Sequence, residues 1–248
     1  MRHVMSVSPD IGPDQLAGWF IFNTWMQRQW GRTVHLELYS SFQAQRDAIR
    51  RDEINLIYAN PFDAAMLVRE KGFTALAAPL GKSDEVVIAV NADSPIQRVE
   101  DLPVHCRVAL TDAPDVNTIS SIMLEPANIS PQTQQRTVAD TYVVVAKLLL
   151  QEKVDVGFFL ADAYDNLSRI VRSRLRVLLR SQIHDIRHVL LAEPGLETQH
   201  ERLKEMLSGM HADAKGKDAL QNLGFTDWEM LQQEDTEFMI DLMDTLVN

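Results

Sequence analysis

Short β-prone runs alternate with longer amphipathic ones through the first ninety residues, and this alternation limits the fold more than any other feature of the chain. Residues 4–8 read as a strand that meets breakers at Pro9, Gly12 and Pro13. A helix follows, with Asp14 as its expected cap. Leu16, Trp19, Phe20, Phe22, Asn23, Met26 and Trp30 fall on one broad face. Helical spacing alone accounts for Trp19, Phe20, Phe22 and Trp30 as core. Residues 33–39 alternate like a half-buried strand. A charged helix at 43–51, a strand at 54–58, a helix at 62–71 and strands at 74–80 and 85–90 complete the series. The order β-α-β-α-β-α-β-β predicts an α/β fold with mainly parallel sheets and helices on both faces.

In such sheets ligands sit beyond the carboxyl ends of strands. Ser8, Pro9 and Asp10, then Tyr39, Ser40 and Ser41, then Tyr58, Asn60 and Pro61 all take that position. A second α/β series begins with a strand at 107–110. Pro114, Asp115 and Asn117 mark a loop after it, and Asn117, Thr118, Ser120 and Ser121 are expected to open a helix. A hydroxyl-rich helix start offers unpaired backbone N–H groups and the positive end of the helix dipole to an anion. The same residues also read as an ordinary cap, which is the commoner use. Beyond a polar loop at 128–136, Asp140 is expected to cap a helix carrying Val143, Val144, Ala146, Lys147 and Leu150. A strand at 154–159 ends at Leu160, Ala161 and Asp162, where Asp162 reads as a cap or a ligand group. A helix at 164–172, strands at 175–179 and 186–192, and a helical tail at 196–247 follow. Two candidate crossings, near Asn91 and at 181–186, divide the chain into lobe one (1–90 with 190–248) and lobe two (91–189). A chain that leaves a lobe and returns makes a cleft with a two-strand hinge, a place that pockets favour.

The net charge of −11 argues against a nucleic-acid partner. It leaves room for a local anion site built from backbone dipoles. The single cysteine, Cys106, permits no intrachain disulfide and is expected to be a buried, inert thiol. No apolar run approaches the length of a membrane span. The first residues lack the apolar region of an export signal, so the protein is cytoplasmic if this is the whole translated chain, and periplasmic only if a leader has been removed. His184-Asp-Ile-Arg-His188 has the outline of a zinc motif, but aspartate replaces its glutamate and residues 186–191 read as strand. No metal or cofactor is expected. No Gly-x-Ser-x-Gly elbow supports a serine nucleophile.

Four stretches together resemble the phosphonate/phosphite/phosphate-binding proteins of ABC importers, in the type II periplasmic-binding-protein superfamily. They are residues 54–58 with Asn60-Pro-Phe-Asp63, Val90-Asn-Ala-Asp-Ser-Pro95 with Val99-Glu-Asp-Leu102, Ser120-Ser121 with Met123-Leu-Glu-Pro126, and Val154-Asp-Val-Gly157. Gly224-Phe-Thr-Asp227 near the end also fits. The resemblance implies a non-enzymatic, two-lobed solute-binding protein that captures a phosphonate-like oxyanion in an interlobe cleft. Ser120 and Ser121 would donate hydroxyls to the anion, with Asn117 and Thr118 nearby. Tyr142 would stand where the family often has a histidine, and Asp162 where an acid meets a ligand amine. Tyr58, Asn60 and the strand-end residues Pro9, Asp10, Ser40 and Ser41 would supply lobe-one contacts, while Phe42 replaces an expected tyrosine. Ile119 and Ile122 stand where the family has serine and glycine. The implied partner is an ABC permease, or a signalling protein if the chain is a cytoplasmic sensing module. An enzyme using Asp162 or His184 as its acid–base group is the remaining alternative.

Overall fold

The computed structural model describes residues 3–247, and the side chain of Asp14, the expected cap of the first helix, lies outside the description. The elements run β1 (His3–Val7), α1 (Pro13–Trp30), β2 (Val34–Glu37), α2 (Phe42–Arg50), β3 (Leu56–Ala59), α3 (Pro61–Lys71), β4 (Thr74–Pro79) and β5 (Val86–Asn91). They continue through β6 (Arg107–Leu110), α4 (Pro114–Leu124), β7 (Gln135–Val138), α5 (Tyr142–Leu150), β8 (Val156–Leu160), α6 (Ala161–Asp165), α7 (Arg169–Arg172) and β9 (Leu175–Arg180). The last are β10 (Val189–Ala192), α8 (His200–Ser208), α9 (Ala214–Leu223), β11 (Trp228–Met230) and α10 (Gln233–Val247). The chain forms two units: Met1–Lys82 with Arg187–Asp244, and Ser83–Ile186 with Thr245–Asn248.

Unit one holds a six-stranded sheet in the order β11-β4-β10-β3-β1-β2. β1 pairs in parallel with β2 and β3, while β10 runs antiparallel to β3 and β4 and β11 antiparallel to β4. The carboxyl ends of β1, β2 and β3 therefore share an edge with the amino end of β10. Trp19, Phe22, Trp25, Met26 and Trp30 of α1 are buried against the sheet with Met5, Leu36, Tyr58 and Trp228. Phe20 is instead 52% exposed: it lies about 100° around the helix from Trp19, off the face that residues 19, 22, 26 and 30 define. α1 starts at Pro13 with Gly12 as its cap residue, not Asp14. A methyl group on Gly18 would come within 2.5 Å of the Asn222 carbonyl, so glycine is what allows the backbones of α1 and α9 to approach. The expected helical tail is interrupted by β11, because Trp228 to Met230 pair with β4.

Unit two holds a five-stranded sheet in the order β7-β6-β8-β5-β9. β6 pairs in parallel with β7 and β8, and β5 antiparallel to β8 and β9. β5 belongs to this sheet, so the chain leaves unit one at Lys82–Ser83, ahead of the crossing expected near Asn91. Three further expectations are corrected. β7 begins at the end of the expected loop and runs past it, the 164–172 helix is two short helices with a break between them, and the cap of α5 is Thr141, whose hydroxyl accepts from the Val144 amide. Cys106 is fully buried, and burial pushes its thiol up to about 11, which makes it unreactive near neutral pH.

Candidate ligand-binding edges

The strand-end edge of unit one is a knitted polar cluster. Ser8, Pro9 and Asp10 follow β1, Ser40 and Ser41 follow β2, and Tyr58 and Asn60 end β3. Asn60 caps α3: its Oδ1 accepts from the Asp63 amide at 2.9 Å, and its Nδ2 donates to Asp63 Oδ2 at 2.7 Å and to Ser8 Oγ at 3.4 Å. Asp63, with 1% of its side chain exposed, also takes the Arg46 guanidinium at 2.6 Å. Gln45 donates to Ser6 Oγ and to the Val7 carbonyl, both at 2.8 Å. Ser41 caps α2 by accepting from the Ala44 amide at 3.2 Å.

His188 joins this edge from β10, and the local sequence gave no sign of it. The register Val189↔Ala59 carries His188 to the end of β3. There it stacks on Tyr58, with ring centroids 5.3 Å apart, and its Nε2 lies 3.2 Å from Asp10 Oδ1. Both side chains are almost wholly enclosed, at 4% and 2% exposure. Burial alone would raise the Asp10 carboxyl. The charge of His188 and hydrogen bonds from His188 and Ser8 outweigh burial and hold it below the ordinary carboxylate range. His184 of the zinc-like outline is exposed and sits at the far end of the segment, so the two histidines do not share a face.

The strand-end edge of unit two is different in kind. α4 begins at Pro114, three residues before the expected start, because proline suits the first helical position. Ser120 and Ser121 are therefore the seventh and eighth residues of α4, in its second turn, and not the helix start. Ser121 Oγ donates to the Asn117 carbonyl at 2.6 Å and accepts from Arg136 at 3.0 Å. Ser120 is fully buried, and its hydroxyl has no hydrogen-bond partner. Only the helix start is corrected: the backbone amides of Ser120 and Ser121 lie inside the helix and are not among the unpaired amides of its first turn.

What the first turn of α4 does present is Asp115, buried, with Asn117 and Thr118 half-buried. No side chain caps this helix. Asn117 Nδ2 donates to the Thr111 carbonyl at 2.8 Å, which fixes the orientation of the amide. Its Oδ1 is buried without a partner, as is Thr111 Oγ1. Tyr142, buried, opens α5 after β7, and Asp162, exposed, is the second residue of α6 after β8. Asp112 and Asp140 are exposed at the ends of β6 and β7. Carboxylates and a bare amide oxygen accept hydrogen bonds, while the partnerless hydroxyls of Thr111 and Ser120 can donate as well as accept.

The family model described as ABC transporter, phosphonate, periplasmic substrate-binding protein matches residues 5–236. The chain belongs to this family. It is a transport family of substrate-binding proteins, not an enzyme family. Among solved structures, the chain is similar to PhnD1 from Prochlorococcus marinus in complex with methylphosphonate, at 13% identity, with 99% of this chain and 98% of that chain covered and a TM-score of 0.84. It is also similar to a binding protein component of an ABC phosphonate transporter from Pseudomonas aeruginosa, at 17% identity, 100% and 89% coverage and a TM-score of 0.80. A Xanthomonas citri protein bound to ATP matches at 16% identity, 99% and 98% coverage and a TM-score of 0.78. At these identities the likeness establishes the fold, that of the two-lobed periplasmic binding proteins. No curated protein matches the chain in sequence. Among the described residues no helix is long and apolar enough to cross a membrane.

Proposed function

We propose that the protein is the solute-capturing component of an ABC importer, working in the periplasm, and that its ligand is a small phosphonate-type oxyanion carrying an amino group. Family membership supports the oxyanion and the transport role. The amino group rests on one observation, the acceptor character of the unit-two edge: Asp115 in the first turn of α4, the unpartnered Asn117 Oδ1, and the exposed Asp112, Asp140 and Asp162. An oxyanion alone would be repelled by these carboxylates, whereas an ammonium on the same molecule offsets the repulsion and satisfies Asn117 Oδ1. The donors for the oxyanion are then the buried hydroxyls of Thr111 and Ser120 in the same unit, which have no hydrogen-bond partner. No step of bond making or breaking is assigned to any of these residues, and the partner is the importer's permease.

A thermal-shift panel of 2-aminoethylphosphonate, methylphosphonate, phosphite and phosphate tests this reading, because a ligand that binds only the folded state raises the melting temperature. The largest shift is expected with 2-aminoethylphosphonate. Asp162→Asn should weaken that compound about tenfold or more and leave methylphosphonate unaffected. Equal shifts from the two phosphonates would remove the amine from the proposal, and no shift from any oxyanion would remove the ligand class.

A further inference from the structure

One half-buried carboxylate gathers the two stretches by which the chain passes between its units. Glu85 stands just before β5, two residues past the outgoing passage at Lys82–Ser83. The returning passage is the segment 181–186, which joins β9 to Arg187 without regular structure. Glu85 is 13% exposed at its side chain and accepts from both sides. Ser83 Oγ donates to it at 3.1 Å from the outgoing stretch. From the returning stretch come the Ser181 hydroxyl, the Ile183 amide at 2.9 and 3.0 Å to its two oxygens, and the His184 amide at 2.8 Å. The Ser181 hydroxyl in turn accepts from the Val86 amide at 2.9 Å, and the Asp84 amide donates to the Ile186 carbonyl at 2.6 Å.

His184 has a backbone φ of +67°, a left-handed conformation that a residue with a Cβ adopts at a cost. The carboxylate that binds its amide supplies the compensation. Two adjacent amides converging on one carboxylate make a small anion nest, and here the anion comes from the protein itself. Burial alone would raise the Glu85 carboxyl, but these hydrogen bonds outweigh burial and hold it below the ordinary carboxylate range, so it is ionised near neutral pH.

We propose that Glu85 is the positioning residue of the hinge: it holds the returning passage 181–186 in a single conformation against the outgoing one, and thereby limits the range of motion between the two units. The claim concerns the free protein and does not depend on which ligand is captured. It separates Glu85 from an ordinary turn clamp, because a clamp would order only its own loop.

The test uses the full chain without ligand. Spin labels on Gln97→Cys in unit two and Glu201→Cys in unit one report the distribution of inter-unit distances; both positions are exposed, and the buried Cys106 stays unlabelled. Amide exchange at Ile183 and His184, with Phe158 in β8 as an internal reference, reports the loop. Glu85→Ala should speed exchange at Ile183 and His184 by about tenfold or more, leave Phe158 unchanged, and broaden the distance distribution. Glu85→Gln, which keeps one acceptor oxygen and remains as bulky as glutamate, should fall between, and serves if the alanine variant does not fold. Faster exchange with an unchanged distance distribution would reduce Glu85 to a local clamp and overturn the proposal, as would no change in either.

Discussion

The strand-end edges of the two units are built from the same elements and use their polar groups in opposite ways. In unit one, Asp10 meets His188, Asn60 meets Ser8 and Asp63, Asp63 meets Arg46, and Gln45 meets Ser6 and the Val7 carbonyl. Asp10 Oδ2, Gln45 Oε1 and Arg46 Nη2 are buried atoms left over from that network. In unit two, Thr111 Oγ1, Asn117 Oδ1 and Ser120 Oγ are buried without partners; of the acids at that edge Asp115 is buried, and Asp112, Asp140 and Asp162 are exposed. A network linked across several elements contributes rigidity, whereas buried groups without partners cost stability unless something else satisfies them. On the reading proposed above, unit one is the scaffold and unit two discriminates between ligands.

The contrast would break first at Asp63. Asp63→Ala leaves Arg46 without its carboxylate beside two aromatic rings and removes an acceptor from Asn60, so a loss of about 3 kcal/mol is expected in denaturant unfolding. A loss below 1 kcal/mol would mean that the unit-one network is ornamental.

Asp10→Asn comes next, at about 2 kcal/mol near neutral pH. Its pH dependence carries a definite sign. The folded carboxyl titrates below its unfolded value, so its contribution is fully present above an unfolded pKa of about 3.9 and is lost as pH falls through the lower folded value. The wild type should therefore lose more stability than Asp10→Asn between pH 6 and 3, a difference readable from urea midpoints across that range.

The smallest effect is expected in unit two and sharpens the comparison. Ser120→Ala removes a buried hydroxyl that bonds to nothing, so stability should change by less than about 0.5 kcal/mol, or rise. Thermal unfolding of the free protein measures this. A drop above 1 kcal/mol would show that the hydroxyl is satisfied in solution.

Much of the architecture was readable because burial imposes period: α1 carries its aromatic residues at helical spacing, and β1, β3 and β5 are apolar runs. β7 was hidden because all four of its residues are exposed, which leaves no alternation to detect. β11 was hidden by length, three residues between helices, and is defined only by its partner β4. The strand-end positions of Asn60 and Asp162 were legible from the β-α order. The start of α4 was misplaced because hydroxyl residues were weighed above Pro114. The Asp10–His188 pair spans 178 residues of sequence, and only the antiparallel register of β10 on β3 brings it together.

The central claim is that unit two selects for a positive group on an anionic ligand, and calorimetric titration of the wild-type protein tests it most directly. The account predicts that 2-aminoethylphosphonate binds at least about tenfold more tightly than methylphosphonate at neutral pH, the gain of about one charge-assisted hydrogen bond. Equal affinities, or a preference for methylphosphonate, would contradict it.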